Sequence, residues 1–174
     1  GMSYQTVKKW LSILETSYVL FTLQPHYVNY NKRLVKRAKL YFHDTGLACF
    51  LLGIKNKDEL STHYLKGALF ENLIISEIAK TYYNNALRPE LFFWRDHTGN
   101  EVDLIIEKGK GVKAVEFKSA KTIHSDFFKG LNFYRKLSSI KKEDTFIVYG
   151  GNESFSRPQA EVLAWHEAVG LASV

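Results

Sequence analysis

The most informative stretch of this chain is residues 96–119, DHTGNEVDLIIEKGKGVKAVEFKS. It places one acidic residue, Asp103, inside an apolar strand and the acid-x-lysine pair Glu116 and Lys118 inside the next. Because side chains alternate along a strand, Glu116 and Lys118 share one face and their apolar neighbours share the other. The stretch therefore predicts a hairpin that carries three charged groups close together.

The turn of this hairpin fixes which residues face each other. If Gly109-Lys110 forms a two-residue loop with glycine first, Asp103 faces Glu116 and Glu101 faces Lys118. Facing side chains lie about 4.5 to 5.5 Å apart at Cβ, and like charges there are destabilising. Facing carboxylates among apolar residues therefore predict a bound cation, and Mg²⁺ or Mn²⁺ suits oxygen ligands. The alternative is a solvated salt bridge between Glu101 and Lys118, with Asp103 at a bulge.

The segments around the hairpin predict a helix and strands in a definite order. KGALFENLIISEIAKTYY, residues 66–83, has apolar residues at helical spacing, and residues 124–137 show a second such pattern with Ser125 as a cap. Strands are predicted at residues 91–95, 101–107, 112–118 and 145–149. The order is helix, three strands, helix, strand.

This order, with an acidic residue in one strand and E-x-K in the next, resembles the PD-(D/E)xK nuclease-like superfamily. The proline of the superfamily motif is replaced here by Val102. The resemblance implies a restriction-endonuclease-like mixed sheet flanked by helices. It also implies a metal-dependent endo- or exodeoxyribonuclease that uses Mg²⁺ or Mn²⁺.

Four segments are similar, in order, to a narrower family, the uncharacterised C-terminal domain of predicted bacterial and archaeal AAA+-type ATPases. They are KRLVKRAKLYFHDTGLACFLLG, GALFENLIISEI, FFWRDHTGNEVDLIIE and VEFKSAK. The likeness implies Glu71, Asp103, Glu116 and Lys118 as catalytic residues, with Asp103 and Glu116 as metal ligands. It also implies an N-terminal ATPase domain of the same full-length protein as a partner. Many members of the superfamily bind DNA without cutting it, so a catalytically silent DNA- or partner-binding module is the alternative.

The N-terminal third carries all of the formal net charge of +6, since residues 67–174 hold 14 Lys or Arg and 14 Asp or Glu. Residues 3–15 predict a capped helix whose buried stripe is Val7, Leu11 and Leu14. Residues 18–23, 27–30 and 39–43 alternate as strands around a turn at Gln24-Pro25-His26. This pattern resembles the second half of a winged helix. Basic residues favour DNA phosphate contact there, and the alternative is a solvated face or an ATPase-docking surface. The candidates are Lys8, Lys9, Lys32, Arg33, Lys36, Arg37 and Lys39.

Composition bounds the remaining possibilities. The single Cys49 excludes an intrachain disulfide, and no apolar run reaches the length of a membrane span, so we expect a cytoplasmic protein without a membrane partner. No GxxxxGK[ST] loop occurs, so ATP hydrolysis is not expected from this chain. The predicted fold is α/β, with a truncated winged-helix-like segment at 1–53, a connector at 54–63 and a nuclease-like core at 64–174.

Overall fold

The computed structural model describes residues 1–27, 37–109 and 111–172. Its α-helices are α1 Tyr4–Thr16, α2 Thr45–Leu51, α3 Lys57–Thr62, α4 Lys66–Asn84 and α5 Lys129–Ser138. Its strands are β1 Leu20–Pro25, β2 Lys39–Phe42, β3 Leu91–Arg95, β4 Glu101–Lys108, β5 Gly111–Lys118, β6 Thr145–Tyr149, β7 Phe155–Ser156 and β8 Glu161–Ala164. Short 3-10 helices occupy Ser125–Phe128, Lys142–Asp144 and Trp165–Leu171.

The described strands form one mixed sheet in the order β2-β1-β3-β4-β5-β6-β8-β7. The pairs β1–β3, β5–β6 and β6–β8 are parallel, and the others are antiparallel. Parallel neighbours need a crossover connection, which α2 to α4 supply between β1 and β3, and α5 supplies between β5 and β6. The fold is α/β, with a mixed eight-stranded sheet flanked by helices, as predicted at that level.

Helices cover both faces of the sheet. On one face, α4 and the C-terminal 3-10 helix pack through Ile75, Ile78 and Leu171 onto Leu104 and Val115. On the other face, α5 packs through Leu131 and Tyr134 onto a second cluster that contains Trp94 and Ile105. Each of these two clusters buries side chains from both the sheet and a helix, so the sheet is the middle layer of three.

The central elements confirm the predicted order. The helix predicted at 66–83 is α4, and the strands predicted at 91–95 and 145–149 have those bounds as β3 and β6. β4 and β5 each extend one residue further into the turn than predicted. The helix predicted at 124–137 differs at its start, because a 3-10 turn precedes α5 there.

The N-terminal segment corrects two predictions. Ser3 caps α1 as predicted, since its hydroxyl accepts the Thr6 N–H, but α1 contains no buried residue and Trp10 is 60% exposed. The predicted buried stripe of Val7, Leu11 and Leu14 is therefore wrong, because Val7 and Leu14 are exposed and Leu11 is only half-buried. The predicted turn at residues 24–26 is also wrong. β1 continues through Pro25 to pair with β3, and its antiparallel partner is β2.

The strand predicted at residues 27–30 lies mostly outside the described residues, and Tyr27 itself is not in a strand. The strand predicted at residues 39–43 is β2, one residue shorter. β1 and β2 extend the sheet of the core, so the segment predicted to be winged-helix-like shares its sheet with the predicted nuclease-like core. None of the described helices is both long and apolar enough to cross a membrane.

Candidate active site

Asp103 lies at an irregularity in β4. Phe92 of β3 pairs with Ile105 and Trp94 pairs with Val102, so the two β4 residues between them oppose a single residue of β3. Such an extra residue is a β-bulge, which re-aims a side chain and often lies beside an active site. The bulge places Asp103 out of the regular alternation of its strand.

The predicted register of the β4–β5 hairpin is confirmed. Regular pairing runs from Lys108 opposite Gly111 to Leu104 opposite Val115. Gly109 has a φ of +58°, which glycine adopts without the steric cost that a side chain would add. The pairing of Lys108 with Gly111 therefore sets the register that brings Asp103 towards Glu116.

The regular pairing of β4 with β5 ends at Leu104 and Val115. The Asp103 carboxylate accepts the Phe117 N–H through Oδ2 at 2.9 Å. The alternative salt bridge between Glu101 and Lys118 is not formed, since Lys118 pairs with Glu116, but the bulge at Asp103 that belonged to this alternative is present. The Glu101 carboxylate instead lies 2.5 Å from Lys39 Nζ. The physical reason is the bulge, which shifts Glu101 relative to β5.

Lys39 of β2 lies among three carboxylates. Its Nζ is 3.0 Å from Glu71 Oε1, 2.5 Å from Glu101 Oε1 and 3.7 Å from Asp103 Oδ1. The Tyr41 hydroxyl, two residues along the same strand, donates to Glu71 Oε1. The Lys39 side chain is only 24% exposed. One ammonium from the edge strand therefore neutralises acidic groups of both α4 and β4.

Glu116 and Lys118 form a second ion pair beside this group. Lys118 Nζ donates to Glu116 Oε1 at 2.6 Å and lies 5.7 Å from the centre of the Phe127 ring, a cation–π contact. Glu116 Oε2 is buried without a hydrogen-bond partner in the described part of the chain. A buried carboxylate oxygen without a partner is costly, so this atom suits an electropositive ligand.

The two central carboxyls are held towards their neutral forms. Burial is the largest cause that raises the pKa of Asp103, and the Glu116 and Glu71 carboxylates raise it further. Burial likewise raises the pKa of Glu116, although Lys118 opposes this effect. Raised pKa values of neighbouring acids are typical of functional sites, because like charges in a partly buried site cannot all ionise cheaply.

The two lysines, by contrast, are held in their charged forms. Burial disfavours the charged ammonium of Lys39, but Glu71, Asp103 and Glu101 outweigh it and raise the pKa of Lys39. Burial is outweighed in the same way at Lys118, whose pKa is raised chiefly by Glu116. Both lysines are therefore cations at neutral pH.

The raised carboxyl pKa values predict a pH dependence of stability in metal-free protein. The native state holds the Asp103 proton more tightly than the unfolded chain does. This contribution to stability is complete below the unfolded aspartate pKa of about 3.9 and is lost as pH rises through the raised native pKa. Asp103→Asn removes the titration, so at pH 7 we expect the variant to be more stable than wild type.

Urea unfolding with a chelator at several pH values between 4 and 8 measures this difference. The gap between Asp103→Asn and wild type should widen with pH. Asp126→Asn is the matched control, because Asp126 is exposed and its pKa is lowered by Lys129. A variant less stable than wild type at pH 7 would show that Asp103 is held as a favourable anion.

Gly130 of α5 allows this helix to approach the site closely. A Cβ built at Gly130 would lie 2.4 Å from the Glu101 carbonyl oxygen and 3.6 Å from Glu116 Oε2. Backbone at that distance cannot move aside cheaply, so α5 would have to shift. The second residue of α5 therefore fixes the distance between the helix and both acidic strands.

We expect Gly130→Ala to lower the free energy of unfolding by about 1 to 3 kcal/mol, the usual cost of overpacking. Gly67→Ala is the matched control, because Gly67 is also the second residue of a helix and nothing lies within 4 Å of its added Cβ. That control should be neutral or stabilising by up to about 1 kcal/mol, since alanine favours helix. Equal effects of the two substitutions in urea unfolding would contradict the close approach.

The residues present fit a divalent cation in donor chemistry. Asp103, Glu116 and Glu71 offer the oxygen ligands that Mg²⁺ prefers, and one oxygen of Glu116 is buried and unpaired. As they stand, no group of three or more His, Cys, Asp or Glu among residues 1–27, 37–109 and 111–172 could hold a metal ion. The Lys39 ammonium lies beside two of these carboxylates, 3.0 Å from Glu71 and 3.7 Å from Asp103.

Four of the seven predicted DNA-contacting residues lie in the part of the chain that the structure describes. Lys8 and Lys9 are exposed on α1, and Arg37 is exposed at the start of the second described range. Lys39 differs from the expectation, because its charge is already neutralised by carboxylates. The remaining candidates, Lys32, Arg33 and Lys36, lie outside the described residues.

Arg37 lines a cavity of about 600 Å³ next to Lys39, together with Arg95, His97 and Gly99. This groove adjoins the carboxylates, since the Nε of Arg95 lies 3.6 Å from Glu101. Its basic side chains come from the segment that enters β2 and from the end of β3 with the turn that follows it, which are distant in sequence and line one cavity.

Three residues of the site were not predicted from the sequence as site residues: Tyr41, Gly130 and Phe127. A signal existed for Tyr41, because it follows Lys39 by two residues and so shares its strand face. No signal in the sequence brings α5 against Glu101. The four predicted catalytic residues Glu71, Asp103, Glu116 and Lys118 lie in one cluster, linked through Lys39 and the β4–β5 hairpin.

Comparison with known proteins matches two family models to separate parts of the chain. Residues 1–58 match the family model described as Domain of unknown function (DUF8612). Uncharacterised proteins of Mycobacterium tuberculosis and Mycobacterium bovis are each 30% identical over 117 residues, which is 67% of this chain and 26% of the relative. The chain thus spans about a quarter of the length of these curated relatives. Residues 66–168, more than half of the chain, match the model described as Domain of unknown function (DUF4143), and the chain belongs to that family.

Proposed function

We propose that this chain is a metal-dependent phosphodiesterase module that acts on DNA. The observation that carries the proposal is the grouping of Asp103, Glu116 and Lys118. Lys118 Nζ is 2.6 Å from Glu116, and Glu116 is close enough to raise the pKa of Asp103. The two acidic side chains are 14% and 13% exposed, so they are nearly enclosed and still reachable.

Each residue has a distinct role in the proposed reaction. Asp103 and Glu116 would hold the metal, with Glu71 completing the acidic shell. A bound divalent ion would stabilise charge on a phosphoryl oxygen and activate a water. Lys118 would orient that water or neutralise charge developing in the transition state, because its ammonium is held by Glu116 and the ring of Phe127.

We also propose a restriction-endonuclease-like arrangement for the core. The order of α4, β3, β4, β5, α5 and β6 supports it, with a glutamate on the helix, an aspartate on β4 and E-x-K on β5. The resemblance in the sequence supports an ATPase domain elsewhere in the full-length protein. Such a domain would deliver DNA to this module.

The groove that contains Arg37, Arg95 and His97 supports nucleic acid as the substrate. DNA affinity depends mainly on cationic contacts to phosphates. The groove shares Lys39 with the acidic cluster, so a phosphate bound there would lie beside the carboxylates. Cationic side chains next to an acidic cluster suit a substrate whose phosphodiester is held on one side and attacked on the other.

A second candidate is a catalytically silent DNA- or partner-binding module. The position of Lys39 favours it, because an ammonium that already satisfies Glu71, Glu101 and Asp103 can replace a metal structurally. The first candidate predicts DNA cleavage, and the second predicts binding of DNA or of a partner without cleavage.

Incubation of the purified chain with labelled duplex, single-stranded and branched DNA separates the two candidates. With Mg²⁺ or Mn²⁺ we expect slow nicking or trimming, and with a chelator none. Wild type that binds these DNAs and cuts none of them with either metal would establish the silent module instead.

A further inference from the structure

We infer that Lys39 is an internal counter-ion that competes with a divalent metal for the acidic cluster, so that its side chain must leave before the metal can bind. The inference rests on the proposed function, because it concerns the same site. It assigns β2, which lies in the N-terminal segment matched by the DUF8612 model, a direct role in controlling residues of the core.

The first support is the position of the ammonium. Nζ of Lys39 contacts carboxylates from two elements, at 3.0 Å to Glu71, 2.5 Å to Glu101 and 3.7 Å to Asp103. Mg²⁺ binds oxygens at about 2.0 to 2.1 Å in near-octahedral geometry. An ion that uses Asp103 and Glu71 cannot share the space between them with an ammonium.

The second support is how the strand is fastened. Asn72, next to Glu71 on α4, accepts the Phe42 N–H at 2.7 Å and donates to the Phe42 carbonyl at 3.0 Å. Its Nδ2 also donates to Thr45 Oγ1 at 2.7 Å. These bonds hold the end of β2 without using Lys39, so the lysine side chain can move while the strand stays paired.

The third support is a place for the displaced side chain. Lys39 lines two grooves. One is the groove of about 600 Å³ that contains Arg37, Arg95 and His97, called the basic groove here, and the other, of about 470 Å³, lies between β2 and α4. A four-carbon stem allows the ammonium to swing from the carboxylates into either groove. In the basic groove it would lie beside Arg37 and Arg95, where a DNA phosphate would attract it.

The exchange makes metal and DNA binding cooperative. A phosphate in the basic groove would draw Lys39 away from Glu71 and Asp103 and so expose them to the metal. The site would then be loaded in the presence of substrate and held closed by its own lysine in its absence.

The test is calorimetric titration of Mn²⁺ into wild type, Lys39→Met and Lys80→Met, without DNA. Methionine keeps an apolar stem and removes the charge. Lys80 is the matched control, since it also pairs with a glutamate of α4, Glu77 at 2.7 Å, but on the outer face of the helix. We expect Lys39→Met to bind Mn²⁺ at least tenfold more tightly than wild type, and Lys80→Met to match wild type.

Equal or weaker binding by Lys39→Met overturns the inference. If wild type binds Mn²⁺ and Lys39→Met binds it equally, the proposed metal site survives and the competition fails. If neither protein binds Mn²⁺, the proposed metal chemistry fails as well.

A second measurement uses wild type alone, because Lys39→Met leaves three carboxylates without their counter-ion and can impair folding. Acetylation of lysines followed by mass spectrometry reports the accessibility of each ammonium. We expect Lys39 to react slowly without metal and at least several-fold faster with saturating Mn²⁺, whereas Lys129 should not change. Protection of Lys39 that stays constant or rises while Mn²⁺ is bound would overturn the inference.

Discussion

Lys118→Ala is expected to lower the rate of DNA cleavage at least about a hundredfold while leaving DNA affinity nearly unchanged. Removing one donor aimed at developing charge usually costs about 10² to 10³ in rate. The Lys118 ammonium is held by Glu116 at 2.6 Å and is partly buried, so it is aimed at the site rather than at bulk solvent. A group that acts only in the transition state lowers the turnover rate and contributes little to ground-state binding.

Single-turnover cleavage and fluorescence anisotropy on the same DNA measure the two quantities. Lys142→Ala is the control, because Lys142 is also paired with a glutamate, Glu161. Glu161 pairs near the start of β6, whereas Lys118 pairs at the end of that strand. A rate that survives both substitutions would point to a contaminating nuclease, and an equal loss of rate in both variants would contradict a specific role for Lys118.

The second large effect concerns metal and thermal stability. A ligand that binds only the native state stabilises it by about 2.7 kcal/mol at a concentration of 100 times its Kd. For a domain of this size that corresponds to a rise in Tm of roughly 5 to 10 °C. We expect Mn²⁺ to produce such a rise in wild type and Glu116→Gln to abolish it, because Glu116 Oε2 is the buried oxygen without a partner.

Glu143→Gln is the matched control, because Glu143 is exposed and lies outside the cluster. Its Tm should rise with Mn²⁺ as that of wild type does. A Tm rise that survives Glu116→Gln would place the metal elsewhere on the protein.

Local patterns predicted most of the core. Alternation, the glycine turn and helical spacing are properties of neighbouring residues, and they located α4, β3, β6 and the register of the β4–β5 hairpin. The same register, continued past Leu104, predicted Glu101 opposite Lys118. That position is wrong because of the bulge at Asp103, which depends on pairing with β3. The alternative interpretation of the hairpin did place Asp103 at a bulge, but the hairpin sequence alone could not decide between the two interpretations.

Contacts between distant segments could not be predicted from these patterns. Lys39 meets Glu71 only because β2 joins the edge of the sheet beside α4, and charge density alone indicated a DNA contact for it. The apolar residues of α1 illustrate a different limit. Helical spacing predicted which residues share a face, but it could not show how deeply that face is buried, and none of the α1 residues is buried.

Anomalous diffraction from crystals grown with Mn²⁺ tests the proposed site most directly. We predict a manganese peak bound by oxygens of Asp103 and Glu116, with the Lys39 ammonium moved away from Glu71 and Asp103. Crystals that contain saturating Mn²⁺ and show no peak there, with Lys39 still bound to its three carboxylates, would contradict the proposed metal-dependent chemistry.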